Sequence, residues 1–321
     1  DPSVTILAII NPQSLLGDEI KQELGRRKAL WSEVRLLTTD PELIGAVTDF
    51  AGEAALVQEC DAETLRGVDL AILLHGDPEQ APTLAARSVL VVVDPTSDWP
   101  EGSLAVAGID SDLTEQQSDR VFVSPSPAVI LLAHLLQPLR QLRPARAVAQ
   151  VLLPVSIHDQ VGLDELFGQI RSIVAMRDDK PTEVFGKQIA FNLLPVPSDH
   201  STDLDQLKRI LGPEPAVALQ IVQTGVFHSL ACSLFVTFEE DPGSERVREC
   251  LAAQPWIEMV AEGDLPGPAD AAAREEILVT DVRPSPAHPG SYQLWAVMDN
   301  LTRGGASNVV EIVENLLAPI S

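Results

Sequence analysis

Short, nearly uninterrupted apolar runs recur through the first third of the chain and constrain its fold more than any other feature. The runs are Val4–Ile10, Val34–Leu37, Val68–Leu74 and Val89–Val93. Continuous apolar runs of this length are typical of strands buried on both faces, as in a parallel sheet. After the first run, Leu16, Ile20 and Leu24 recur every four residues, which is the spacing of one helix face. Strand, helix and strand in this order predict a doubly wound α/β domain.

The pattern changes at Ser124–Pro127, where two prolines interrupt it and a strongly apolar helix, Ala128–Leu139, is predicted to follow. Beyond this point Ala216–Val222 and Ser233–Phe238 alternate apolar and polar residues, as antiparallel strands with one wet face do. Further strands are predicted at Ala147–Val155 and Ser291–Met298, with a helix face at Leu163, Phe167, Ile170 and Val174. The second part of the chain is therefore predicted to be an α+β domain.

The last predicted helix has an amphipathic stripe. Its apolar residues are Ala306, Val309, Val310, Val313, Leu316 and Leu317. We therefore divide the chain into a first domain of residues 1–126, a second domain of residues 127–300 and a C-terminal helix in residues 301–321. A length of 321 residues is sufficient for two separate cores.

The charge balance excludes some classes of partner. Lys and Arg total 22 against 47 Asp and Glu, which gives a net charge of −25. A field of this sign repels phosphate backbones and anionic lipid, so we expect neither nucleic acid nor a membrane as a partner. Three widely separated cysteines are typical of a reducing compartment, so we expect a cytoplasmic protein. The spacing of His, Cys, Asp and Glu predicts no metal site.

Three segments together carry a resemblance to a known family. Residues 298–308, MDNLTRGGASN, resemble the closing motif SDNLRKGAALN of the aspartate-semialdehyde dehydrogenases, and residues 185–195, FGKQIAFNLLP, resemble their AFN-x-IP segment. Val155 and Ser156, followed by Gly162, stand where the family has VSGAGxxG. The resemblance implies a Rossmann-like N-terminal domain for NADP and an α+β domain with the substrate site and the dimer surface. It also implies that the last helix returns to the first domain.

The chain departs from the family at the residues that perform the chemistry. The family's nucleophilic cysteine, which attacks the aldehyde carbonyl, corresponds to Pro127, a residue with no nucleophile. The family's glutamine corresponds to Leu153, and its substrate-binding arginine falls near Gln223, which has no charge to offer a carboxylate. The family's histidine is matched by His228. A base without a nucleophile has no use, so we expect no functional catalytic residue.

The nucleotide-binding loop also departs from the family pattern, G-x-x-G-x-x-G. Asn11, Ser14 and Gly17 occupy the glycine positions, while Pro12 and two bulky leucines lie between them. The resemblance adds Asn300 and Asn308 as possible cofactor contacts. We expect no bound cofactor, with NADP as the alternative.

These departures predict a pseudoenzyme that acts as a dimeric binding, regulatory or structural protein. The expected partners are a second copy of the chain and an unidentified protein or small molecule. Two alternatives stay open. One is an active NAD(P)-dependent semialdehyde dehydrogenase of amino-acid biosynthesis with a rearranged site around His228. The other is a metabolite sensor that uses the old substrate cleft.

Overall fold

The computed structural model describes residues 5–75, 84, 88–93, 102–109, 121–261 and 263–317. The chain divides into two compact units. Unit 1 comprises residues 1–126 and 305–321, and unit 2 comprises residues 127–304. Both ends of the chain therefore belong to the same unit. Val4, the first residue of the first predicted strand, lies outside the described residues.

In the described part of unit 1 the strands form one sheet. They are β1 (Ile6–Ile10), β2 (Glu33–Thr38), β3 (Val47–Phe50), β4 (Glu53–Glu59), β5 (Leu70–Leu74), β6 (Val89–Val93), β7 (Ser103–Leu104) and β8 (Val121–Ser124). Their order is β3-β4-β2-β1-β5-β6-β8-β7. Every neighbouring pair is parallel except the β3–β4 hairpin. The predicted doubly wound arrangement is confirmed.

Unit 2 contains a mixed sheet. Its strands are β9 (Pro144–Leu153), β10 (Leu193–Pro195), β11 (Ala216–Thr224), β12 (Leu230–Phe238), β13 (Ile257–Met259), β14 (Ile277–Pro284) and β15 (Ser291–Met298). Their order is β10-β11-β9-β12-β15-β14-β13. The strand β12 lies antiparallel between β9 and β15, whereas β11 is parallel to β9. This sheet matches the predicted α+β domain.

The described helices connect these strands. They are α1 (Leu15–Arg26), α2 (Pro127–Leu136), α3 (Asp159–Val174), α4 (Ser201–Leu211), α5 (Ser244–Ala252), α6 (Pro268–Ala271) and α7 (Asn308–Leu317). Short 3-10 turns lie at Lys28–Leu30, Pro41–Leu43, Arg140–Leu142 and Val155–His158, and a π-helical turn at Thr302–Ser307 leads directly into α7.

The strand β1 shows why the apolar runs of unit 1 are continuous. Leu7 and Ile9 pack into one core cluster, while Ala8 and Ile10 pack into a second. Because successive side chains of a strand point to opposite faces, both faces of the sheet must be covered by apolar groups. The stripe of α7 joins the first of these clusters. The predicted return of the last helix to the first domain is confirmed.

The predicted apolar face of α3 is partly wrong. Phe167 and Val174 are 58% and 74% exposed, whereas Glu165 and Gln169 are buried. The carboxylate of Glu165 accepts hydrogen bonds from the backbone N–H groups of Val184 and Phe185, at 2.6 and 3.2 Å. A buried polar side chain that binds backbone in this way replaces an apolar one, so helical periodicity alone misplaces the buried face.

The helix α2 begins at Pro127, where a missing N–H costs no helical hydrogen bond. Its residues from Ala128 to Leu136 are all buried, including His134, whose ring lies 4.7 Å from the ring of Trp256 between centroids. Neither ring nitrogen of His134 has a hydrogen-bond partner among the described residues. Burial, together with the nearby charge of Arg303, lowers the pKa of His134 from 6.5 to about 3.

This pKa predicts loss of stability in acid. Because the folded pKa lies below the ordinary value of 6.5, the unfolded chain takes up a proton first as the pH falls. Folding should therefore weaken by about 1.4 kcal/mol per pH unit below pH 6.5, an effect that is complete only near the folded pKa. Between pH 6.5 and pH 5, the free energy of unfolding measured in urea should fall by about 2 kcal/mol less in His134→Leu than in wild type. The exposed-site control His288→Leu should behave as wild type, and an unchanged pH dependence in His134→Leu would contradict the assignment.

Candidate functional site

The position predicted for the nucleophile is the first residue of α2. The Pro127 ring packs against the closing motif, since a Cβ atom placed on Gly304 would lie 3.1 Å from the Pro127 Cβ. The proline ring supplies neither a thiol nor an exchangeable proton. In unit 1, the hydroxyl of Ser124 is buried and accepts a hydrogen bond of 2.8 Å from the Asn308 side chain. Ser124 is therefore held as an acceptor in the core of unit 1.

Asn300 lies where three segments of unit 2 meet. Its Oδ1 accepts a 2.9 Å hydrogen bond from the backbone N–H of Ser229, and its Nδ2 donates to the Ser156 hydroxyl over 3.1 Å. Only 3% of Asn300 is exposed. These bonds join the segment after β9, the start of β12 and the segment after β15. Asn300 thus links these three segments of unit 2.

Asp299, the neighbour of Asn300, has a similar role. Its carboxylate accepts hydrogen bonds from the backbone N–H groups of Leu301, Thr302 and Ala273, at 2.7, 2.9 and 2.6 Å. Three donors compensate the charge of a side chain that is only 4% exposed. Asp299 therefore holds the backbone of the turn that follows β15.

The residue predicted near the arginine position, Gln223, is a buried residue of β11 that pairs with Leu153 of β9. Its Nε2 donates to the carbonyl oxygens of Leu153 and Thr224, at 3.1 and 3.2 Å. The amide thus joins two strands instead of facing a ligand carboxylate. Residues 210–245 contain no Lys or Arg, so this part of the chain supplies no cation for an anionic substrate. Leu153, the residue predicted at the family's glutamine position, contributes a backbone carbonyl here.

His158 joins this group, although sequence reasoning missed the contact. Its Nε2 lies 3.2 Å from Gln223 Oε1, and its ring meets Phe185 edge-on at 5.1 Å between centroids. Burial lowers the pKa of His158, opposed by the bond to Gln223 and by the charge of Glu165. Since Gln223 donates through its nitrogen, its oxygen accepts, and the neutral imidazole donates. No local signal in the sequence announces a partner 65 positions away.

His228 is half-buried in the segment between β11 and β12. Its Nδ1 and the hydroxyl of Ser229 are both buried, without a hydrogen-bond partner among the described residues. Ser229 adopts a φ of 68°, a left-handed conformation that a serine rarely takes. The Nδ1 atom of His228, the residue predicted to match the family's histidine, is therefore left without a hydrogen-bond partner by the described protein atoms.

In unit 1, the residues predicted for cofactor binding each make internal contacts. Ser14 caps α1 by accepting the Gly17 N–H at 2.9 Å, and Asn11 accepts from the backbone N–H of Thr39 at 2.9 Å. Asn308 is fully buried; its Oδ1 accepts from Ala107 N–H at 2.8 Å, and its Nδ2 donates to Ser124. All these bonds stabilise unit 1 itself.

The described residues show neither a metal site nor a membrane-spanning helix. In these parts of the chain, no group of three or more His, Cys, Asp or Glu side chains has an arrangement that could hold a metal ion. The helices in the same parts are too short or too polar to cross a membrane.

Comparison with known proteins gives one family. The model described as "Semialdehyde dehydrogenase, dimerisation domain" matches residues 136–303. The aspartate-semialdehyde dehydrogenase of Synechocystis is 24% identical, with 98% of each chain covered. A protein of Azotobacter vinelandii called "USG-1 protein homolog" is 27% identical, again with 98% of each chain covered.

A solved structure extends the likeness to the fold. The probable aspartate-semialdehyde dehydrogenase of Pseudomonas aeruginosa matches with a TM-score of 0.90 and 24% identity, over 98% of this chain and 99% of that one. At this identity the match establishes the fold only. The family model, however, covers just over half of the residues, including the Gln223, His228 and Asn300 positions. The chain therefore belongs to the semialdehyde dehydrogenase family.

Proposed function

We propose that this chain is a non-catalytic member of its family, a dimeric binding or regulatory protein that neither turns over a semialdehyde nor requires NADP. The observation that carries the proposal is Pro127 at the start of α2, in contact with Gly304. Covalent aldehyde oxidation needs a nucleophile at this point to form a thiohemiacetal, and a proline ring cannot form one. The deciding experiment is a turnover assay of the purified protein.

The residues shared with the family support the same proposal. Asp299, Asn300 and Asn308 are buried, and their side chains form hydrogen bonds that hold loops and strand ends in place. By contrast, Pro127 and Leu153 stand where the family pattern has reactive or substrate-binding side chains. A chain that keeps the residues that stabilise the fold and, apart from His228, lacks those that act on substrate is suited to recognition and assembly.

An open face of the unit 2 sheet supports a homodimer. Val148 and Phe235 are cross-strand neighbours in β9 and β12, and they are 52% and 42% exposed. Ala218 continues the same row in β11, opposite Val148. Beside them Gln150 and Gln220 form a 2.9 Å side-chain hydrogen bond. The matched family domain is described as a dimerisation domain, so we assign this face to a second copy of the chain.

The substitution Phe235→Glu tests this interface. In a symmetric dimer this substitution buries one unpaired carboxylate from each copy in the interface. We therefore expect the dimer dissociation constant to rise at least about a hundredfold. Sedimentation velocity over a concentration series measures the change. Leu265→Glu, at a loop position that is 86% exposed, is the matched control and should leave assembly unchanged. A Phe235→Glu variant that is still fully dimeric would remove this face from the proposal.

A second candidate function is metabolite sensing in unit 2. It is favoured by the buried Nδ1 of His228 and the buried hydroxyl of Ser229, which the described protein atoms leave without a hydrogen-bond partner. A ligand that binds only the folded state must raise the melting temperature. A metabolite screen by thermal shift, repeated with His228→Phe, tests this candidate. A stabilising metabolite whose effect His228→Phe abolishes would favour sensing over a purely structural role.

A further inference from the structure

The carboxyl ends of β1 and β2 lie side by side in unit 1, since the strands are parallel and Ile10 pairs with Leu37. In a doubly wound sheet, dinucleotides bind at this edge. The loop after the first strand receives the pyrophosphate, and the end of the second strand meets the ribose 2′ position. We infer that unit 1 excludes NADP by two separate features of this edge: a loop in which Pro12 has no N–H and the N–H groups of Asn11, Ser14 and Gly17 are already bonded, and the carboxylates of Asp40 and Glu42. The inference deepens the proposed function, which already dispenses with NADP.

The backbone of the loop between β1 and α1 offers few donors to a phosphate group, although the buried side-chain amide of Gln13 has no hydrogen-bond partner among the described residues. Pro12 has no N–H, and the backbone N–H of Ser14 donates to the Pro12 carbonyl at 3.1 Å. The N–H of Gly17 is capped by the Ser14 hydroxyl at 2.9 Å. The loop is also packed closely onto the helix, since a Cβ atom on Gly17 would lie 2.1 Å from the Pro12 carbonyl oxygen. Gly17 is thus explained by packing, and the helix N-terminus presents fewer free donors than a phosphate cradle needs.

The side chain of Asn11 links the residues that follow β1 and β2. Its backbone is left-handed, with φ of 59°, and its Oδ1 accepts from both the N–H and the hydroxyl of Thr39, at 2.9 and 3.1 Å. The family pattern has glycine at this position, which lets the ligand approach the backbone. Here an amide side chain bridges β1 and β2 instead.

The end of β2 has the wrong charge for a 2′-phosphate. Asp40 and Glu42 are exposed immediately after the strand, and residues 36–65 contain no Lys or Arg. Arg35 precedes this stretch, but its Nη1 donates to the carbonyl oxygens of Thr64 and Arg66, at 2.8 and 2.7 Å. An acidic residue at this place accepts hydrogen bonds from a free ribose hydroxyl, whereas an arginine accommodates the additional phosphate of NADP. The charge at this edge therefore disfavours NADP more than NAD.

Calorimetric titration of the whole protein tests the first feature. Wild type is expected to show no saturable binding of NADP or NAD up to about 1 mM. A variant with the loop opened, Asn11→Gly with Pro12→Ala and Ser14→Gly, is expected to bind NAD. Circular dichroism must show that this variant is folded. A folded variant that binds neither nucleotide would show that these loop residues are not the barrier and would overturn the inference.

The second feature, the charge of Asp40 and Glu42, is tested in the variant with the opened loop. There NADP should bind at least about tenfold more weakly than NAD, because its phosphate meets like charges. Adding Asp40→Arg should remove or invert this ratio, whereas the control Asp49→Arg, at an exposed position on β3, should preserve it. Preference for NADP with Asp40 intact, or saturable binding of NADP to wild type, would overturn the inference. NADP binding without turnover would leave the non-catalytic proposal standing, so the two can fail separately.

Discussion

Purified protein supplied with aspartate semialdehyde, phosphate and NADP is expected to reduce the cofactor at least about a millionfold more slowly than an active relative. The reason is the loss of the covalent step: at Pro127 there is no sulfur to attack the carbonyl and no intermediate from which hydride could leave. Neutral Gln223, in a stretch without Lys or Arg, adds a second defect in substrate binding. Absorbance of the reduced nicotinamide, with the Synechocystis enzyme as the positive control, measures the difference.

The variant Pro127→Cys separates the two defects. It restores a thiol at the first position of α2, where a residue other than proline is also tolerated. We still expect a rate at least about a hundredfold below that of the active relative, because the substrate is not held in a reactive position. Wild-type turnover that survives thiol alkylation and disappears in His228→Phe would contradict the proposal and support the rearranged site instead.

Replacement of Gln169 by leucine is expected to lower the free energy of unfolding by about 4 kcal/mol. Gln169 is fully buried in α3; its Oε1 accepts from the N–H groups of Ile189 and Ala190, at 2.7 and 2.9 Å. Its Nε2 donates to the carbonyl oxygens of Pro181 and Lys187, at 2.7 and 3.2 Å. Leucine leaves these backbone groups unsatisfied in the interior, which costs more than the lost bonds themselves.

Urea denaturation with a linear extrapolation measures this change. The matched control is Gln160→Leu on the same helix, an exposed residue whose side chain donates to Asp164, which should change stability by no more than about 0.5 kcal/mol. Equal stability of the two variants would mean that the 181–190 segment does not depend on α3.

Strands and domain class could be predicted because they follow from local apolar patterns. The run that became β1 divides its side chains between two core clusters, and only strands covered on both faces need such composition. The face of α3 could not be predicted, because Gln169 is buried by backbone groups 20 and 21 positions away. Helical periodicity reports only the spacing of apolar residues, so it cannot identify a polar residue that is buried against a partner distant in the sequence.

The candidate site, like the fold, could be predicted from the sequence only in part. Motif order located Asn300 and His228, but their contacts depend on strand ends that only the fold brings together. The bond between His158 and Gln223 belongs to this second kind. Asp40 and Glu42 are visible in the sequence, but only the parallel pairing of β1 with β2 shows that they lie beside the loop that follows β1. The roles assigned to Pro127, Leu153, Gln223 and His228 are predictions that the proposed assays address.

Unit 1 combines residues 1–126 with residues 305–321, and this arrangement limits the order in which the two units can fold during synthesis. Val309, Val310 and Val313 of α7 are fully buried in the core cluster that contains β1, and Asn308 binds Ala107. During synthesis on the ribosome the first 126 residues therefore emerge long before their last core side chains exist. Unit 2, whose residues are continuous, can be completed first. The strands of unit 1 therefore keep an apolar surface uncovered until α7 has been synthesised.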